Sequence, residues 1–196
     1  MSATEAPLGL EELRTQVERG DVDTVVVAIT DMQGRLQGKR LHAPYFLDHV
    51  LEHGTEGCNY LLAVDVDMNT VPGYTISSWE RGYGDMEFVL DVATLRPVPW
   101  LPGTVMVQAD LGWLDDEHSP VRQSPRQVLK DQVSKAAARG WSVPAATELE
   151  FIVFDDTYEA AWSARYQGLT PANQYNVDYS LLGTARVAVA PLPRAR

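Results

Sequence analysis

The first half of the chain contains short apolar segments separated by glycine- and proline-containing turns, and this pattern limits the possible folds most strongly. Residues 22–31, VDTVVVAITD, are rich in β-branched residues, and the following MQGRLQGKRL contains turn glycines. A β-branched run followed by glycine turns and a return segment predicts a β-hairpin over residues 22–41. Further strands are predicted at residues 60–66, 86–90 and 104–114.

Three segments carry helix signals. Apolar residues recur at helical spacing before Gly20, and Pro44 begins a short helical segment that stops at Gly54. After a polar linker at residues 115–125, a third helix begins with Ser124 as its N-cap and Pro125 in its first turn. Its predicted apolar stripe consists of Val128, Leu129, Val133 and Ala136. The chain is therefore a mainly β unit followed by a helix and a strand that begin a second unit.

The strand predicted after this helix, residues 146–154 with the sequence ATELEFIVF, carries two glutamates among apolar residues. Side chains at i and i+2 of a strand point to the same face, so Glu148 and Glu150 are predicted to lie roughly 7 Å apart. Apolar residues on both faces indicate a strand that is covered on both sides. Two neighbouring carboxylates there need cations to offset their repulsion and desolvation. Mg²⁺ or Mn²⁺ would supply that charge, and an ion pair with an arginine would do so equally well.

A second candidate metal motif lies at residues 49–53, which read HVLEH. His49 and His53 share one helix face and match the H-x-x-E-H pattern of some zinc peptidases. The alternative is an ordinary amphipathic helix with solvated histidines. The predicted helix is short, and nothing nearby in the sequence marks a third ligand.

Charge and apolar content exclude several classes of function. The 196-residue chain has a net charge of −11, which disfavours binding to phosphate backbones, so no nucleic-acid partner is expected. The sequence has no apolar run of membrane-spanning length and no secretory signal, so we expect a cytoplasmic protein without a membrane partner. A single cysteine, Cys58, agrees with a reducing compartment.

Several segments together resemble the glutamine synthetase family. ATELEFIVF is similar to the family segment in which two glutamates, separated by one residue and followed by Phe, bind catalytic divalent ions. DVATLRPVPWLPGTVMVQADL, SPRQVLK and YNVDYSLLGTARV are similar to further family segments in the expected order. The resemblance covers about residues 21–187.

The resemblance implies an α+β fold in three parts. These are an N-terminal helix over residues 1–20, a β-grasp-like domain over residues 21–114, and the start of the catalytic domain, an antiparallel sheet with helices, over residues 120–196. Members of the family assemble into rings in which the N-terminal domain of one subunit closes the active site of the next subunit. A homo-oligomeric ring is therefore the assembly expected of the full-length protein.

The implied activity is an ATP-dependent ligase that joins the γ-carboxyl group of glutamate to ammonia or an organic amine through γ-glutamyl phosphate. Its cofactor would be Mg²⁺ or Mn²⁺, with ATP as co-substrate. Glu148 and Glu150 would each help to hold a different metal ion. The expected partners are the small-molecule substrates glutamate, ATP and an amine or ammonia.

The sequence departs from the family pattern in its N-terminal part. Ammonia-using members carry a D-G-S-S-type motif, whose aspartate helps to bind ammonium, whereas residues 56–67 here read EGCNYLLAVDVD. This departure favours an organic amine, such as a polyamine or ethanolamine, as the acceptor. Asp65, Asp67 and Asp85 are acids in the corresponding region, and the sequence assigns a role to none of them.

The second departure is at the C-terminus. The family's catalytic domain continues well beyond this point and carries the remaining metal ligands and the arginines for ATP and glutamate there. Residues 188–196, AVAPLPRAR, differ from the amphipathic helix expected and are typical of a frame-shifted tail. The sequence thus predicts a C-terminally truncated part of a ligase that is inactive alone and tends to aggregate.

Two other functions remain open from the sequence. The chain could be a non-catalytic remnant that binds full-length paralogues through the ring interface. More remotely, it could be a zinc hydrolase that uses HVLEH.

Overall fold

The computed structural model describes residues 7–80 and 82–172. The chain divides into two compact units, Met1–Val143 and Pro144–Arg196. YNVDYSLLGTARV and the tail AVAPLPRAR lie outside the described residues. No helix in the described ranges is both long and apolar enough to cross a membrane.

The first unit begins as the sequence predicts. Helix α1 (Leu10–Glu18) is followed by strands β1 (Thr24–Thr30) and β2 (Leu36–His42), which pair antiparallel. The predicted helix and hairpin are therefore confirmed. The next segment consists of α2 (Ala43–Tyr45), a π-helical turn (Phe46–Val50) and α3 (Leu51–His53), and it ends at Gly54. The short helix predicted from Pro44 is also confirmed.

The prediction of a strand over residues 60–66 is wrong. After strand β3 (Glu56–Cys58), the chain forms a 3₁₀ helix (Asn59–Leu62), and Val64 makes only an isolated bridge to Thr70. Leu62 and Val64 are both buried, so the apolar residues serve the core without forming a strand. A short apolar run does not by itself distinguish strand from helix.

The two later strand predictions are confirmed by β4 (Asp85–Pro97) and β5 (Thr104–Trp113). The five strands form one mixed sheet in the order β2-β1-β5-β4-β3. Strands β1 and β5 lie side by side at its centre and run parallel, while every other neighbouring pair is antiparallel. Helices on a mixed sheet make this unit α+β.

The main core lies on one face of the sheet. Alternate residues of β1 and β5 contribute to it, because successive strand residues point to opposite faces. Leu13 of α1 and Phe46 of the π-helical turn are fully buried in the same cluster. The strand residues of this cluster are Val25, Val27, Ile29, Met86, Phe88, Leu95, Val105, Val107, Ala109 and Leu111.

Charged side chains connect helix α4 (Pro125–Ala137) to residues of β4 and β5 that do not belong to the main core. The helix begins at Ser124 and Pro125, as predicted. Its predicted apolar stripe is not buried, since Val128, Leu129 and Val133 are 48%, 62% and 59% exposed. The reason is that the polar side of the helix faces the sheet, and no element described in the first unit covers the stripe.

The second unit is described for residues 144–172. It contains one short helix, α5 (Tyr158–Ser163), whose N-cap Thr157 accepts a hydrogen bond from the backbone N–H of Ala160 at 3.2 Å. Phe154 forms an isolated antiparallel bridge with Pro171. Residues 146–154 are not in a regular strand, so the prediction of a strand covered on both sides is wrong for the part of the chain that is described.

Candidate functional site

Glu148 and Glu150 lie in an exposed segment of the second unit. Both residues are exposed and outside regular secondary structure. The neighbouring Leu149 and Phe151 are 84% and 73% exposed. Water therefore solvates both carboxylates. Because they are not desolvated in this structure, no bound cation is needed to offset a desolvation cost.

The metal-binding prediction also requires further ligands. Divalent ions such as Mg²⁺ need about six oxygen ligands, of which waters and substrate phosphates supply several. Among residues 7–80 and 82–172, no group of three or more His, Cys, Asp or Glu side chains is arranged to hold a metal ion. The described residues therefore do not fit a complete metal site, and Glu148 and Glu150 can contribute only part of one.

The histidines of HVLEH lie against each other and a tyrosine. The rings of His49 and His53 are 4.5 Å apart between centroids, and His49 stacks on Tyr45 at 5.1 Å. His53 also approaches Glu52, with 3.9 Å between Nε2 and Oε2. Among the described residues, this helical segment also has no group of three side chains that could hold a metal ion. The geometry is that of an exposed aromatic stack.

The three acids that the sequence left unassigned differ in their surroundings. Oδ1 of Asp65 accepts hydrogen bonds from the backbone N–H groups of Asp67 and Asn69, each at 2.9 Å. These bonds, led by that from Asn69, lower the pKa of Asp65. Asp65 therefore stabilises its own turn, whereas Asp67 is exposed on that turn. Asp85 begins β4 opposite Cys58.

The turn at residues 64–69 is held to the β1–β2 hairpin by Arg35. Its guanidinium group donates to the backbone carbonyls of Asp65 and Val66, and its Nε donates to Asp31 at 2.8 Å. Gln33 adds a hydrogen bond from Nε2 to the carbonyl of Val64 at 2.7 Å. These contacts position the acidic turn relative to the sheet.

The structure also brings together three aromatic side chains that the sequence analysis did not single out. Tyr83 lies edge-to-face with Trp79, with 5.3 Å between ring centroids, and with Tyr60, at 6.4 Å. Trp79 is 81% exposed. Tyr60 is separated from Trp79 and Tyr83 by 19 and 23 positions in the sequence, so spacing alone could not have predicted the cluster.

Comparison with known proteins identifies the family. Residues 122–188 match the profile of the glutamine synthetase catalytic domain, and this range includes Glu148 and Glu150. The chain is 65% identical over 181 residues to the γ-glutamylethanolamide synthetase GlnA4 of Streptomyces coelicolor, covering 92% of this chain and 39% of that protein. This chain belongs to the glutamine synthetase family.

Other members of the glutamine synthetase family are less similar. The chain is 31% identical over 171 residues to a glutamate–isopropylamine ligase of a Pseudomonas species, covering 87% of this chain and 37% of the ligase. It is 30% identical over 146 residues to the glutamine synthetase of Methanosarcina mazei, covering 74% of this chain and 29% of that enzyme. The chain thus spans roughly two fifths or less of the length of these relatives.

The solved structures that are similar to this chain include two of GmaS. The GmaS complex with ADP aligns with a TM-score of 0.48 and 20% identity, over 65% of this chain and 26% of that one.

Proposed function

We propose that this chain is part of an ATP-dependent ligase that joins the γ-carboxyl group of glutamate to an organic amine through γ-glutamyl phosphate. The observation that carries the proposal is its 65% identity over 181 residues to a relative named as a γ-glutamylethanolamide synthetase. A second relative, at 31% identity, is named as a glutamate–isopropylamine ligase. Both names describe an organic amine as the acceptor, and the absence of a D-G-S-S-type motif in residues 56–67 supports the same choice. Ethanolamine is the first acceptor to test.

Glu148 and Glu150 are proposed as two of the ligands for the divalent ions, Mg²⁺ or Mn²⁺, that accompany ATP. The support is their position inside the matched range 122–188 and their i, i+2 spacing. Metal ions bound there would offset charge on the transferring phosphoryl group. Since the described residues supply only part of a ligand set, the remaining ligands are proposed to come from the portion of the family domain that lies outside them.

The domain organisation proposed for the assembled enzyme has an N-terminal helix over residues 1–20, a β-grasp-like domain over 21–114 and catalytic-domain sequence over 120–196. The parallel central pair β1 and β5, flanked by antiparallel neighbours, supports the β-grasp description. A homo-oligomeric ring in which this domain closes the site of the neighbouring subunit is the proposed assembly.

A chimera tests the proposal directly. The corresponding N-terminal segment of the Streptomyces coelicolor relative is replaced by residues 1–188 of this chain, and formation of ADP and γ-glutamylethanolamide is measured. We expect turnover that depends on glutamate, ATP, ethanolamine and Mg²⁺. The substitutions Glu148→Gln and Glu150→Gln should each lower kcat at least about a hundredfold, since each removes a charged metal ligand.

The matched control is Glu159→Gln, an exposed acid in α5, which should retain activity. A folded chimera that makes no product, or one that is as active with Glu148→Gln as without it, would contradict the proposal. The 196-residue chain alone should release no ADP above background, because its described residues do not form a complete metal site.

One observation favours a second function. Helix α4 and residues 149–154 expose a series of apolar side chains that a family member would need to cover, among them Leu129 at 62% and Leu149 at 84%. A non-catalytic chain that binds full-length paralogues would use such surfaces. Co-purification with a longer homologue, combined with an inactive chimera, would favour this function over the ligase.

A further inference from the structure

The aromatic cluster in the first unit has the composition of a site for an organic cation. We define it as Tyr60, Trp79 and Tyr83. Trp79 lies in a tight turn in which the backbone N–H of Gly82 donates to the carbonyl of Ser78 at 2.9 Å. The same two residues form an isolated β-bridge, so the two ends of the turn are held together.

Two contacts fix the relative orientation of the rings. Tyr83 meets Trp79 at an interplanar angle of 89° and Tyr60 at 90°. Asn59, next to Tyr60, is only 6% exposed and donates from Nδ2 to the carbonyl of Ile76 at 3.2 Å. This hydrogen bond ties the 3₁₀ helix to the chain segment that leads to Trp79. The cluster is therefore organised before any ligand arrives.

The exposure of Trp79 is unusual for its residue type. Tryptophan is highly buried on average, because removing its large ring from water is favourable. Here the indole ring is 81% exposed although it contacts Tyr83. Most of its surface is thus available to a ligand.

An acidic residue lies next to the cluster in the sequence, and the chain as a whole is acidic. Glu80 follows Trp79 directly, and a hydrogen bond from the Ser78 side chain, followed by one from its own backbone, lowers the pKa of the Glu80 carboxyl group. The carboxylate is therefore ionised at neutral pH, and the whole chain carries a net charge of −11. Ammonium groups bind over the faces of Trp and Tyr rings through the ring quadrupole.

We propose that Tyr60, Trp79 and Tyr83 bind a small organic ammonium ion, with its charged nitrogen over an aromatic face and its CH₂ groups against the rings. The choice of this ligand class rests on the proposed function, in which an organic amine is the acceptor. Ammonium itself lacks the apolar portion and should bind more weakly. The cluster would then contribute to the preference for an organic amine over ammonia.

The NMR signals of ¹⁵N-labelled tryptophan indole groups test the proposal without an activity assay. The full chain, labelled with ¹⁵N in its indole groups, contains five tryptophans, and Trp79→Phe assigns the Trp79 signal. It is titrated with ethanolamine hydrochloride, ammonium chloride and neutral ethylene glycol at constant pH and ionic strength. We expect a saturable shift of the Trp79 signal with ethanolamine, a weaker effect with ammonium and none with ethylene glycol.

Controls separate this site from general surface effects. Trp100 is 76% exposed and outside the cluster, so its signal should not move. Tyr83→Leu should weaken ethanolamine binding about two- to fivefold, the loss expected for one exposed cation–π contact. No shift at Trp79, an equal shift with ethylene glycol, or an equal shift at Trp100 would overturn the proposal.

The experiments distinguish a failure of this proposal from a failure of the ligase proposal. An inactive chimera together with a saturable Trp79 shift would overturn the ligase while the cation site stands. In an active chimera, Trp79→Leu should raise the KM for ethanolamine and leave the KM for glutamate unchanged. If both constants change equally, or neither changes, a role of the cluster in acceptor binding is contradicted.

Discussion

Arg35 donates a hydrogen bond from Nε to Oδ2 of Asp31 at 2.8 Å, and the Asp31 side chain is fully buried. The backbone N–H groups of Gln33 and Arg35 donate to the other oxygen of the same carboxylate at 2.9 and 2.8 Å. The guanidinium group also reaches the backbone of Asp65 and Val66, about thirty residues further along the chain. One buried carboxylate thus fixes both the hairpin turn and the loop packed beside it.

Asp31→Asn should destabilise the first unit. Burial alone raises the pKa of Asp31, but the hydrogen bonds from Arg35, Gln37 and Gln33 together lower that pKa below its usual value. The asparagine keeps the shape and loses the charge, so we expect a loss of about 1–3 kcal/mol at pH 7. Urea denaturation of both proteins measures the difference.

The pH dependence of that difference follows from the lowered pKa. A carboxyl group whose folded pKa is depressed stabilises the folded state above its unfolded pKa, about 3.9 for aspartate. That contribution is lost as the pH falls through the lower folded pKa. The difference in unfolding free energy between the wild-type protein and Asp31→Asn should therefore be constant from pH 7 to about 5 and shrink below about 4. A gap that widens on acidification would contradict this account.

Gly57→Ala should destabilise the β3–β4 edge of the sheet. A Cβ atom on Gly57 would lie 2.4 Å from Cζ of Phe88, whose ring is buried in the core. The ring has little room to move, so we expect a cost of about 1–3 kcal/mol from overpacking. Gly84→Ala is the matched control, because its Cβ would meet nothing nearer than 4.0 Å. Equal urea midpoints for the two variants would show that the Phe88 ring moves aside at no cost and would contradict the prediction.

Arg126→Gln should loosen helix α4. Arg126 pairs with Asp91 of β4, and its Nη1 lies 3.4 Å from Oδ1 of Asp110 of β5. The hydrogen bond from Arg126 lowers the pKa of Asp91, and the glutamine variant removes this charged partner of the Asp91 carboxylate. We expect faster hydrogen exchange throughout residues 125–137, measured by mass spectrometry. Arg122→Gln, at an exposed position, should leave that exchange unchanged.

The exposed stripe of α4 should promote self-association of the isolated chain. Leu129→Gln with Val133→Gln replaces two side chains that are 62% and 59% exposed. We expect less binding of a hydrophobic dye and a larger monomer fraction in size-exclusion chromatography. The control pair, Leu36→Gln with Val66→Gln, is 53% and 68% exposed elsewhere. If the control pair improves the monomer fraction as much, the stripe has no special role.

Short sequence patterns were enough to predict the secondary-structure elements that depend mainly on neighbouring residues. The β-branched residues of β1 and the glycine turn after them specify the β1–β2 hairpin, and Ser124 with Pro125 marks the start of α4. The family resemblance was likewise visible in the order of short segments and in the spacing of Glu148 and Glu150.

Other features depended on contacts between distant residues. The apolar residues at 60–66 were compatible with strand or helix, and packing on the sheet selected the 3₁₀ helix. Nothing in the sequence indicated that Arg35 would reach residues 65 and 66, or that Tyr60 would meet Tyr83. Likewise, an apolar stripe on α4 shows that a face could be buried, but only the arrangement of the neighbouring elements determines whether anything covers it. Propensities and caps act within a few residues, whereas burial and side-chain contacts depend on how the whole chain is folded.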